Sequence, residues 1–226
     1  MPISRRSMLK TTVAAATLAS VGLPSFAQDI DELVIAYNVN LPSWDPTVGP
    51  SAVNPTIQGL YQSVFDNFIP QNTDLSFGQG LVTDWGWNDD LSQIWMDVRE
   101  GVTWHNGDPF TAEDVAWSLQ RAADPATGNP IQFIWGKVEN ITAEGNRVTA
   151  DVKEYEPTFF KWMSFLTGYV MPKKYMEEVG AEGFEAAPIG TGPYMVERFE
   201  RNAFVRLTAN ENYWGGAPEF KTVTIK

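Results

Sequence analysis

Trp95-Met96-Asp97-Val98-Arg99-Glu100-Gly101-Val102-Thr103-Trp104-His105-Asn106-Gly107-Asp108-Pro109-Phe110-Thr111-Ala112-Glu113-Asp114-Val115 is the stretch from which the architecture of this 226-residue chain is read. From Gln93 the apolar residues alternate, with Ile94, Met96 and Val98 on one side and Gln93, Asp97 and Arg99 on the other. That is the period of a half-buried strand. Gly101 and Gly107 permit turns on either side of a short β segment. Thr111 then caps a helix whose first turn holds Glu113 and Asp114, and Val115, Leu119 and Ala122 follow at helical spacing until Asp124-Pro125 ends it.

Strands and helices alternate outward from this segment in both directions. Leu33 to Tyr37 is β-like, and Asn40 to Pro46 reads as an irregular loop with two prolines. Asn54-Pro55 supplies an N-cap and a first-turn proline for a helix that presents Ile57, Leu60, Tyr61, Val64 and Phe65 and ends near Asp66. Lys137 to Ile141 and Arg147 to Val152 flank Glu144-Gly145-Asn146, a hairpin pattern. Pro157 and Pro172 each stand where a short helix can begin, and Tyr194 to Phe199, Phe204 to Ala209 and Thr222 to Ile225 read as strands. The expectation is a mixed α/β domain with mostly local strand pairing.

Composition narrows the chemistry. Length alone allows one or two domains. Hydrophobic residues make up 43% and charged residues 19% of the chain, a globular balance. Twenty-eight acids against 16 bases give a net charge of −12, which repels nucleic acid phosphates and anionic lipid, so no nucleic acid partner is expected. With no Cys, disulfides, thiolate metal sites and Cys nucleophiles are excluded. A single His, His105, excludes a multi-histidine metal site.

The first 27 residues read as an address. Arg5, Arg6 and Lys10 precede an apolar run from Thr11 to Leu23, and Ser25-Phe26-Ala27 presents an A-x-A-type cleavage site before Gln28. Ser4-Arg5-Arg6-Ser7-Met8-Leu9-Lys10 resembles the twin-arginine export motif, which implies export of folded protein. Cleavage leaves residues 28–226 with a charge of −15, because three bases leave with the segment. No later apolar run is long enough to span a bilayer.

Catalytic patterns are weak. His105 lies in a turn, where a hydrogen bond to that turn is the expected role, and Gly190-Thr191-Gly192 lacks the third Gly of a phosphate loop. No cofactor and no metal site are expected. Among nine Trp residues, Trp117 lies on the apolar helix face and reads as core, whereas Trp44 in a Pro-bounded loop is a candidate ligand contact. Tyr213 and Trp214 read as a packing pair in a turn before the last strand.

The stretch from Trp95 to Val115, together with Pro188-Ile189-Gly190-Thr191-Gly192-Pro193-Tyr194 and Asn210-Glu211-Asn212-Tyr213-Trp214-Gly215-Gly216-Ala217-Pro218, resembles the extracellular solute-binding proteins of family 5. These are the peptide, dipeptide and nickel binding components of ABC importers. The resemblance implies a periplasmic-binding-protein-like fold of the two-lobed type II, cluster C kind. Members are about twice as long as this chain, so residues 28–226 are expected to be the N-terminal lobe with the second lobe absent. It further implies a periplasmic, non-enzymatic binder of peptides or similar small solutes that works with an inner-membrane ABC permease complex. Asn38, Asn40, Trp44, Thr191 and Gly192 correspond to the cleft edge and are the expected ligand-binding residues. The competing expectation, resting on Trp content and acidity alone, is a secreted carbohydrate-active enzyme or carbohydrate-binding module.

Overall fold

The alternation at Ile94, Met96 and Val98 places all three side chains in the core of a four-stranded antiparallel sheet. The computed structural model describes residues 31–36 and 41–226; the expected export segment, Asn38 and Asn40 lie outside the described residues. The strands are β2 (Val82–Trp87), β3 (Gln93–Val98), β4 (Val138–Glu144) and β5 (Arg147–Val152), in the order β2-β3-β5-β4. Register sets Ile94 opposite Ala150 and Met96 opposite Val148, so one face is uniformly apolar. Gly145, at φ 61, makes the β4–β5 turn that a side chain would strain.

Helix α2 (Ala112–Ala123) covers that face with Val115, Leu119 and Ala122. Its start is closed reciprocally, as the Thr111 N–H donates to the Asp114 carboxylate at 2.9 Å. Trp104, Phe110, Trp135 and Phe159 complete this core, the last two from the short helices α3 (Gln132–Trp135) and α4 (Phe159–Trp162). Burying each such ring or branched side chain stabilises the fold by roughly 1.5–3 kcal/mol before entropy is counted.

A second four-stranded sheet has the order β1-β8-β7-β6, from β1 (Glu32–Ile35), β6 (Tyr194–Glu200), β7 (Phe204–Ala209) and β8 (Thr222–Ile225). Strand β8 lies between β1, which it meets in parallel with Leu33 opposite Val223, and β7, which it meets antiparallel. Helices α1 (Pro55–Val64) and α5 (Lys173–Ala186) pack on this sheet, α5 broken by Gly180 at φ 68. Asn54 caps α1 as its sequence predicts, its side chain accepting the Thr56 N–H at 3.0 Å. The second core gathers Trp44, Ile57, Tyr61, Val64, Phe65, Phe184, Leu207 and Val223.

Local pairing joins β2 to β3, β4 to β5, β6 to β7 and β7 to β8; the pairings β3–β5 and β1–β8 bring distant segments together. The chain passes from the second core at Phe65 to the first at Phe68 within three residues. Beside this crossing runs a return, where Asn67 Nδ2 donates to the Gly168 carbonyl at 2.9 Å.

Candidate functional site

The loop Gly190-Thr191-Gly192 lies pressed against the end of α1. A Cβ on Gly190 would stand 1.9 Å from the Val64 carbonyl oxygen, and one on Gly192 2.6 Å from the same atom, so only bare backbone fits. The Gly192 N–H donates to that carbonyl at 3.0 Å. His105 holds the other side of the loop. Its Nδ1 accepts the Gly190 N–H at 3.0 Å and its Nε2 lies 3.0 Å from the Gly192 carbonyl oxygen. A donor on Nδ1 and an acceptor at Nε2 select the neutral Nε2–H tautomer. Burial pushes the imidazole down to about 4. His105 thus bonds a loop far away in sequence rather than its own turn, which corrects the expectation for that residue.

Asp66, one residue past the α1 cap, receives three donors. Thr191 Oγ1 donates at 2.8 Å, Tyr213 OH at 3.0 Å and Trp214 Nε1 at 2.9 Å. The Arg99 guanidinium covers the Trp214 ring 4.6 Å from its centroid. Burial pushes the Asp66 carboxyl above the usual carboxylate range, against the pull of the three donors and Arg99. Asn210 Nδ2 donates to the Gly192 carbonyl at 3.1 Å and its N–H to the Pro193 carbonyl at 2.8 Å. The Tyr213-Trp214 pair therefore packs as expected and also bonds. Asp66 carries no local sequence pattern, and only the folded chain brings its donors to it.

Trp44 is fully buried, 0% exposed, with its ring edge-on to Phe199 at 5.5 Å. The structure thus buries this candidate ligand contact: the Pro-bounded loop folds inward, and its backbone is tied down by Glu185. The Trp44 N–H reaches that carboxylate at 2.8 Å, and Ser43 Oγ donates to it as well. Asp45 pairs with Arg121 at 2.6 Å and accepts the Thr47 N–H at 2.9 Å. A cavity of about 510 Å³ lies beside the loop, lined by Trp44, Glu185, Pro188, Phe199 and Arg201 among others.

Of the expected ligand contacts, the structure brings Thr191 and Gly192 together at the α1 end, both buried, and sets Trp44 in the core of the same sheet. Asn38 and Asn40 lie outside the described residues, between β1 and the Trp44 loop. Among the described residues, no group of three or more His, Asp or Glu is placed to hold a metal ion, and no helix is long and apolar enough to cross a membrane.

The profile of bacterial extracellular solute-binding proteins, family 5 Middle, matches residues 77–226. The chain belongs to this family. The nickel-binding periplasmic protein of Escherichia coli (strain K12) is 22% identical across 98% of this chain and 41% of its own length. The glutathione-binding protein GsiB of Escherichia coli O1:K1 / APEC is 23% identical across 97% of this chain and 42% of its own length. The chain thus spans about two fifths of these family 5 relatives. Its backbone matches NikZ from Campylobacter jejuni in complex with Ni(L-His), with a TM-score of 0.77 at 22% identity over 87% of this chain and 39% of that one. It also matches the oligopeptide-binding protein AppA of Bacillus subtilis, in complex with a nonapeptide, at 0.75 and 19% identity over 86% of this chain and 39% of that one. The fold is therefore the periplasmic-binding-protein type expected from the motifs. Family 5 proteins are binders and not enzymes, and the carbohydrate-active enzyme or module finds no support among the relatives.

Proposed function

We propose that this chain supplies one lobe of a solute-binding protein for an ABC importer, taking peptides, nickel chelates or similar small solutes. The observation that carries this reading is the family 5 match over residues 77–226. The ligands for which relatives are named, nickel, glutathione and an oligopeptide, support this ligand range. Residues 1–27 act as a twin-arginine export segment, residues 28–226 form the N-terminal lobe, and the protein works in the periplasm with an inner-membrane permease complex. In the two-lobed design, affinity comes from enclosing the ligand by hinge closure, with no bond made or broken.

Asn38 and Asn40, leaving the first strand with amide side chains that can both donate and accept, are the direct ligand contacts in this reading. Trp44, Thr191 and Gly192, buried in the described structure, complete the ligand-edge set in this reading. Isothermal titration of residues 28–226 with di- to nonapeptides and with Ni(L-His) tests the assignment. Saturable binding near 1 mM, about 4 kcal/mol, is expected for one lobe, and it is lost in N38A/N40A. No saturable heat with either ligand class overturns the assignment, and micromolar binding overturns the need for a second lobe.

A further inference from the structure

Asp66 stands where the chain leaves one core for the other, and its three donors come from two loops that flank the β6–β7 hairpin. The two loops belong to the second sheet, yet Trp214 packs against the first core and is covered by Arg99 from the end of β3. Ile189, next to the glycine loop, touches both cores. His105, from the motif that follows β3, grips the same loop at Gly190 and Gly192. Around the glycine loop the polar contacts of the seam converge on one carboxylate and one imidazole, while Arg121–Asp45 and Asp114–Lys173 tie the two cores together elsewhere.

We propose that Asp66 is a positioning residue that pins the two sheets into one rigid body, so that the glycine loop keeps its place whatever ligand the protein carries. A carboxylate suits this task because it only accepts: Thr191, Tyr213 and Trp214 all donate to it and none competes with another for a proton. An amide at the same place offers one accepting atom and two unwanted donors. The arrangement also accounts for why an aromatic pair in a turn carries its polar atoms inward.

The test uses the 226-residue chain, whose lack of Cys allows clean paired labelling. Spin labels at E144C, in the β4–β5 hairpin, and A203C, in the β6–β7 turn, report the distance between sheets. D66N is expected to broaden that distance distribution and to raise amide exchange at Gly192 and Asn210 on the order of tenfold, while Met96 and Leu207 in the sheet centres keep their protection. Y213F, which removes one donor and leaves the carboxylate, is expected to give the same pattern at smaller amplitude, so the comparison survives if D66N fails to fold. An unchanged distance distribution in both variants, or exchange that rises equally in the sheet centres and the seam, overturns the proposal.

Discussion

His105 and Gly190 bond each other twice: the imidazole Nδ1 accepts the Gly190 N–H at 3.0 Å, and the His105 backbone N–H donates to the Gly190 carbonyl at 2.9 Å. The first of these bonds exists only while the ring is neutral, which links the seam to pH.

Burial lowers the folded-state value of His105 from 6.5 to about 4. Between those values the unfolded chain binds a proton that the folded chain refuses, so stability from this residue is complete above pH 6.5 and is lost as pH falls toward about 4. The span corresponds to on the order of 3 kcal/mol. Urea titrations at a series of pH values should show this slope in the native chain and its absence in H105Q. An equal slope in both would assign it to other groups.

Gly190→Ala should destabilise by about 3 kcal/mol or more, because the added methyl meets the Val64 carbonyl, a backbone atom that cannot swing away. Gly101→Ala, where nothing lies near but φ is 77, should cost only about 1 kcal/mol from backbone strain. Denaturant midpoints of the two variants measure the difference.

Trp44→Ala should cost about 3–5 kcal/mol, since a fully enclosed indole leaves a cavity that the Phe199 contact alone cannot close. Trp44→Phe should cost much less. It shortens the side chain but also removes an indole N–H that has no partner in the described structure. Thermal melts of both variants decide whether the residue acts through packing.

Asp114 serves two helices, accepting the Thr111 N–H at 2.9 Å at the start of α2 and the Lys173 N–H at 3.0 Å at the start of α5. Asp114→Ala should therefore lose about 2 kcal/mol, near twice an ordinary cap, with raised amide exchange in the first turns of both helices. Raised exchange confined to α2 would show that the second bond contributes nothing.

Elements with a short period or a cap were legible from the chain alone. Ile94, Met96 and Val98 alternate, Thr111 and Asp114 close a helix start within four residues, and Asn54-Pro55 opens another, all interactions between near neighbours. Strand β2 is not legible in the chain alone, because Val82 to Trp87 mixes Thr, Asp and Gly with its aromatics and shows no clean alternation. The ligand-edge residues divide in the same way: motif spacing marked Thr191 and Gly192, but their burial against Val64 and Asp66 was invisible.

The sequence by itself determined the family, the α/β class and the glycine positions, because motifs and local periodicity record them directly. Tertiary structure alone decided that β8 lies between β1 and β7, that Trp44 is core and that Asp66 and His105 grip the same loop. Those outcomes depend on which distant surfaces bury each other, and a contact between residues more than eighty positions apart leaves no trace in the pattern around either partner.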